Sequence, residues 1–224
     1  MPPSRNPKSK KPLRETIYTD LKRQIISGQL PPGSRVVEIA LADQLQVSRT
    51  VIREVIKQLE LEGLVRITPY KGTEVARFSL KDIEEIYAIQ ATLEGMAADL
   101  STAKMTEADK KDLHRIQKQL REALHKTPGE WQKMNVRFHQ FFIERCGNWR
   151  LQNLVKNQRD QFARYWRIIL AIPGQRERNS SGHEKILKAI ESGDSLKVRL
   201  AMEEHIHQTA KKLMEFLAEN SFLI

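Results

Sequence analysis

A chain of 224 residues that is 40% hydrophobic and only 6% aromatic, with ten glycines and nine prolines, has the composition of a helical globular protein, long enough for one large domain or two small ones. Its 38 Lys and Arg against 28 Asp and Glu leave a formal charge of +10, which favours a polyanionic partner, nucleic acid before an anionic membrane. The single cysteine, Cys146, excludes an intramolecular disulfide and leads to the expectation of a cytoplasmic protein, and no apolar run approaches the ~20 residues needed to span a bilayer.

Residues 1–12 carry Arg5, Lys8, Lys10 and Lys11 with no acid among Pro and Ser, so a disordered basic arm is expected there, with no apolar core of a signal peptide. The first helix is expected over 13–27, with Ile17, Leu21, Gln24, Ile25 and Ile26 near a 3.6 period. Gly28 ends it, and Pro31-Pro32-Gly33 makes a turn that a helix cannot cross. A second helix follows over 37–45 with Ile39, Leu41, Ala42 and Leu45 turned inward, and Gln46-Val47 is a short turn. Ser48 is a natural N-cap for a third helix carrying Val51, Ile52, Val55, Ile56, Leu59 and Leu61 and ending at Gly63. Two short strands, 64–68 and 73–76, are joined by Pro69-Tyr70-Lys71-Gly72. The order is that of a winged helix-turn-helix over 13–76, with a linker at 77–80.

From Ser79 onward the pattern is amphipathic helix throughout, expected at 79–103, 106–126, 129–146, 148–172, 177–192 and 194–220. Ser79 and Thr106 open runs with acids in the first turn, and Pro128-Gly129, Gly147-Asn148, Pro173-Gly174 and Gly193-Asp194 supply the breaks. The fold class is therefore mostly α, an N-terminal winged helix-turn-helix followed by an all-α six-helix bundle over 81–224.

The charge is uneven: residues 1–78 hold 14 Lys and Arg against 8 Asp and Glu. Arg49 and Arg53, four apart, share one face of the third helix, and Arg suits a bidentate grip on guanine O6 and N7. Ser48 and Thr50 are short hydroxyl residues at a helix N-terminus, where a phosphate is favoured, and Lys57 lies one turn further for a backbone contact.

On these residues the stretch 13–76 resembles the winged helix-turn-helix of the GntR family of bacterial transcription regulators. The matching positions are Gly28-Gln29-Leu30-Pro31-Pro32-Gly33-Ser34-Arg35, Glu38, Leu41-Ala42, Val47-Ser48-Arg49-Thr50, Val51-Ile52-Arg53-Glu54, Leu59-Glu60, Glu62-Gly63-Leu64-Val65, Gly72 and Val75. The resemblance implies that Arg35, Ser48, Arg49, Thr50 and Arg53 contact an operator, and that Lys71 and Gly72 set the wing in the minor groove. Val51 stands where the family usually has Pro, and Val is acceptable in a first helical turn.

The helical half holds His114, His125, His139, His183, His205 and His207. Asn135 and His139 are four apart on one helical face, and three imidazoles with one oxygen ligand on facing helices suit zinc, nickel or manganese. Spacing alone leaves these as ligands or as ordinary surface and core histidines. This half resembles the FCD ligand-binding domain of the FadR branch, a VanR-like six-helix effector domain. The matching segments are Leu93-Glu94-Gly95-Met96-Ala97-Ala98, Asn135 with Phe138-His139, His183 through Ile190 with Gly193-Asp194, and Met202 with His205. The resemblance implies a divalent metal held by Asn135, His139, His183 and His205, with an open position facing a small organic acid. His114, His125 and His207 match no ligand position.

Two departures bear on that site. Asn135 stands where many members have Asp, and Gln90 where the family commonly has an Arg that pairs with an effector carboxylate. Gln90 and Arg164 are thus the candidate effector contacts, with Arg159 and Arg167 as further cations on the same predicted helix and Phe162, Tyr165 and Trp166 read as core. The expected protein is a homodimeric regulator, a repressor by family habit, that binds a pseudo-palindromic duplex and answers to a small molecule. The alternatives are a metal-dependent hydrolase joined to a DNA-binding domain, disfavoured by the absence of an HExxH pattern, and a ligand-free DNA binder, disfavoured by the large helical half.

Overall fold

A computed structural model describes residues 13–163 and 165–220, with side chains for all of them but 159–162. The expected basic arm and Arg164 lie outside the described residues, as do the side chains of Arg159 and Phe162. The chain divides between Arg77 and Phe78 into two compact units.

The first unit runs α1 (Leu13–Ile26), β1 (Arg35–Val36), α2 (Glu38–Leu45), α3 (Arg49–Leu61), β2 (Val65–Thr68) and β3 (Gly72–Val75). Ile17, Leu21 and Ile25 of α1 and Ile52, Val55, Ile56 and Leu59 of α3 repeat at three and four residues, so each helix buries one stripe, and they meet Leu64, Val65 and Val75 in one core. Gly63, at φ 68°, closes α3, and Leu64 N–H donates back to the Leu59 carbonyl at 2.9 Å, the six-to-one bond of a left-handed helix stop.

The two residues of β1 were not anticipated. They pair antiparallel with β3, Arg35 opposite Glu74 and Val36 opposite Thr73, and the sheet order is β1-β3-β2. So short a strand has no period of its own, and it exists because β3 offers it a partner edge. Two residues expected inside are outside, Ile39 and Leu45 at 50% and 37% exposed, and Leu61 at the end of α3 is 87% exposed. Leu61 lies two residues past Leu59, about 200° around the helix from the buried stripe. In the two turns of α2 only Ala42 is fully buried, so the apolar stripe there is one residue wide.

The second unit is helical: α4 (Leu80–Thr102), α5 (Glu107–Glu122), a 3-10 turn at Ala123–His125, α6 (Pro128–Arg145), α7 (Trp149–Ala163), α8 (Trp166–Ala171), α9 (Gln175–Glu191) and α10 (Ser195–Glu219). Ser79, Thr106, Thr127 and Asp194 cap α4, α5, α6 and α10 with side-chain oxygens, and Thr106 with Asp109 and Thr127 with Glu130 form reciprocal capping boxes. The single helix expected over 148–172 is two, α7 and α8. No glycine or proline marks that break. It seats the Tyr165 ring in the core, 1% exposed and 5.3 Å from the Phe78 ring, so packing decides it. Trp131, Tyr87, Phe138, Phe142 and Leu113 fill the centre of the bundle, and α4 and α10 pack along one another.

Candidate DNA-reading surface and histidine pocket

In α3 the Ser48 Oγ accepts from Val51 N–H at 3.4 Å, which leaves its own hydroxyl proton available to a phosphate. Val51 is half-buried and packs on the core, which is where a Pro ring would also sit. With Ile52, Val55, Ile56 and Leu59 turned inward, the opposite face carries Arg49, Thr50, Arg53 and Lys57, all exposed. The Arg53 guanidinium lies 3.4 Å from the Glu38 carboxylate of α2 while its side chain stays 57% exposed, so it is steadied at the edge without being covered. Arg35 is exposed on β1, and Lys71 and Gly72 are exposed at the hairpin turn between β2 and β3. Every residue expected to touch an operator is thus accessible, on one small unit.

The second unit builds a cavity of about 50 Å³ inside its bundle, with polar groups set in a largely apolar wall. Three helices each line it with a pair of residues four apart, Gln90 and Glu94 from α4, Asn135 and His139 from α6, His205 and Thr209 from α10, while α9 lines it with Asn179 and brings His183, four residues on, to the histidines. Tyr87, Val136, Ile206 and Trp166 also line it, and Trp166, expected as core, packs against the core and faces the cavity as well.

The three histidines expected to ligate come together, with candidate ligand nitrogens within 4.8 Å of one another. His183 Nε2 faces His139 Nε2 at 3.3 Å. Two nitrogens held at about 2.1 Å from one ion stand roughly 3.0–3.4 Å apart, so this spacing suits a shared cation. His183 is stacked on Phe138 with ring centroids 3.9 Å apart, which fixes its plane. Asn135 is 1% exposed, and its Oδ1 has no hydrogen-bond partner among the described residues. An orphaned buried oxygen in the cavity that His139 and His205 also line fits a divalent ion, since such an atom is costly without a partner. Burial first, and neighbouring histidines second, hold His183 and His205 well below the ordinary histidine range, so both imidazoles are neutral and offer lone pairs.

Glu94 was part of the matched segment but had no role assigned to it. Its Oε2 meets His139 Nδ1 at 2.6 Å, and its Oε1 accepts from Gln90 Nε2. A carboxylate on Nδ1 makes that nitrogen the donor and turns Nε2 into the lone-pair side. The available signal was a carboxylate in the otherwise apolar and small run of α4 from Ala91 to Ala98. Gly182 was the second omission. A Cβ there would stand 2.3 Å from His205 Nδ1, so the missing side chain lets α10 bring His205 into the cluster. A glycine inside a helix costs about 1 kcal/mol relative to Ala, and that cost was the clue.

Gln90 lines the cavity as expected, but its amide nitrogen is committed to Glu94 and its Oε1 has no partner among the described residues. Its free oxygen is an acceptor that suits a hydroxyl. His114, His125 and His207 are exposed away from the cluster, and Arg167 is exposed.

Two family models match the chain: "Bacterial regulatory proteins, gntR family" over residues 13–75, and "FCD domain" over residues 85–208. Among curated relatives, the uncharacterized HTH-type transcriptional regulator YdhC of Bacillus subtilis is 34% identical over 149 residues, covering 64% of this chain and 65% of YdhC, just under two thirds of its length. The HTH-type transcriptional repressor RspR of Escherichia coli is 23% identical over 94% of this chain and 92% of its own. Among solved structures, McbR/YncC of E. coli superposes with a TM-score of 0.68 over 92% of this chain and 99% of that one, at 23% identity, which shows a shared fold.

Proposed function

The chain belongs to the gntR family of bacterial regulatory proteins, in the group that joins the helix-turn-helix to an FCD domain, and on that premise we propose that it is a homodimeric repressor whose operator binding answers to a small organic acid. Its domains and relatives are those of transcriptional regulators and not of enzymes. The observation that carries the reading is the N-terminal turn of α3, capped by Ser48, with the guanidinium groups of Arg49 and Arg53 outward and the wing beside them. Repression is supported by the printed names of two relatives, the transcriptional repressors RspR and GlaR of E. coli.

Asn135, His139, His183 and His205 would hold a divalent ion, zinc, nickel or manganese, and when bound it would supply a coordination position for a carboxylate oxygen. Glu94 orients His139, and Gln90 holds Glu94 in turn. The free Gln90 Oε1 favours an acid that also carries a hydroxyl. Asn179 accepts from Gln175 Nε2 at 2.7 Å and Thr209 Oγ1 at 3.1 Å, which keeps the α9–α10 side of the cavity rigid. A cavity of this size suits a compound of few heavy atoms. Coupling of about 1–3 kcal/mol between the two sites would change operator occupancy enough to regulate.

Dimerisation is supported by apolar side chains left exposed on the second unit. Ile89 and Met96 of α4 are 48% and 41% exposed, and Leu196 and Leu200 of α10 are 57% and 55% exposed, as a face awaiting a second copy would be. The test of the whole reading is selection from a random-sequence duplex pool. A palindromic consensus that a small hydroxy acid weakens is the expected result, and a pool that the protein does not enrich refutes it.

A further inference from the structure

The turn at the tip of the wing breaks the rule of its own type. Lys71 N–H donates to the Thr68 carbonyl at 3.0 Å, so Thr68-Pro69-Tyr70-Lys71 is a hydrogen-bonded β-turn. Pro in the second place followed by a positive φ is the type II pattern, and its third place belongs to Gly or Asn. Here the third residue is Tyr70, at φ 65°. A side chain with a Cβ meets a steric penalty in the left-handed region that glycine escapes. Among the described residues no hydrogen bond or ring contact of the Tyr70 side chain offsets it, and the ring is fully exposed, at 109% of its reference area. The backbone is therefore held in a costly conformation whose one visible consequence is an aromatic ring projected into solvent beside the exposed Lys71. An aromatic face next to an ammonium is the pairing that meets the sugar wall and phosphate edge of a nucleic acid.

We propose that Tyr70 is a DNA-contacting residue: carried at the wing tip by a strained turn, its ring packs in the minor groove flanking the bases read by α3, with Lys71 on the adjoining phosphate. This rests on the operator-binding reading above and extends it to a side chain outside the set the resemblance implied. The strain belongs to presentation, because a relaxed turn with negative φ at position 70 would swing the ring off the tip.

The test uses Tyr70→Gly, Tyr70→Phe and Arg53→Ala in the full chain, each measured for thermal unfolding and for binding to a duplex enriched by the native protein from a random-sequence pool. Tyr70→Gly is expected to melt at or above the native temperature while binding the duplex about tenfold more weakly, and Tyr70→Phe to keep most of the affinity. If Tyr70→Gly binds as the native chain does while Arg53→Ala does not, the assignment of Tyr70 falls and the operator-binding reading stands. If Tyr70→Gly melts lower than the native chain, the ring is structural and the assignment falls. If the native chain enriches no duplex, both fall together.

Discussion

Arg53 has two possible partners, and only one is inside the protein. Its ion pair with Glu38 is exposed and is worth at most about 1 kcal/mol of folding stability. The proposed contact with a base or phosphate would be worth more, so Arg53→Ala is expected to weaken binding to a selected operator by roughly 1–3 kcal/mol with little loss of thermal stability. A gel shift against the native chain, with a melting curve beside it, checks both halves. The histidines carry the second prediction at this scale. Protein purified without chelator should hold about one divalent ion per chain, and the His139→Ala/His183→Ala variant should hold none. Elemental analysis of both reads this directly, and a metal-replete native chain without an ion would reduce the cluster to a bare pocket.

At the scale of elements, the helix starts follow from local chemistry. In α5 the Thr106 hydroxyl accepts from Asp109 N–H at 3.2 Å, and Asp109 accepts from Thr106 N–H at 3.0 Å and from Arg145 Nε at 2.9 Å. The hydrogen bonds from Thr106, and after them the one from Arg145, pull Asp109 from its ordinary 3.8 down to about 2. A carboxylate depressed in this way contributes stability that is complete above its unfolded value and is lost as pH falls through the folded one. The native chain should therefore lose more stability between the ordinary value of 3.8 and about 2 than the Asp109→Asn variant does over the same range. Chemical denaturation of both chains along a pH series gives the difference, and parallel curves would remove Asp109 from the account. The α7–α8 break is the opposite case. No glycine or proline lies at that junction, and the residues after it, Tyr165 and Trp166, are a buried core ring and a cavity-lining indole.

For the whole molecule, the exposed leucines of α10 bear on assembly. Leu196 and Leu200 are four apart on one face, and a charge at each would oppose burial against a second copy. Leu196→Glu/Leu200→Glu is expected to turn a dimer into a monomer by light scattering and to weaken binding to a two-half-site duplex, with the helical content unchanged. A native monomer, or a variant that still dimerises, would place the contact elsewhere. The cavity and the basic helix lie in separate units, so the proposed response of one to the other is read in solution, as a change in operator affinity on adding a hydroxy acid.

The residues by themselves determined a good deal. Ser48, the arginines four apart, Gly63 and the Pro-Pro-Gly turn are local signals, and local hydrogen bonding and steric exclusion are enough to set helix ends and an exposed face. The i,i+4 spacing put Asn135 and His139 on one side of α6. What the chain order does not contain is which side of one helix meets which side of another. Glu94 behind His139, Gly182 beneath His205, Trp166 in the cavity wall and Arg35 paired across to Glu74 all join positions far apart in sequence or turn on such a meeting, and a periodic pattern is blind to its partner. Those were decided by tertiary packing, because the cost of burying a carboxylate or an imidazole is settled only by the group that ends up beside it.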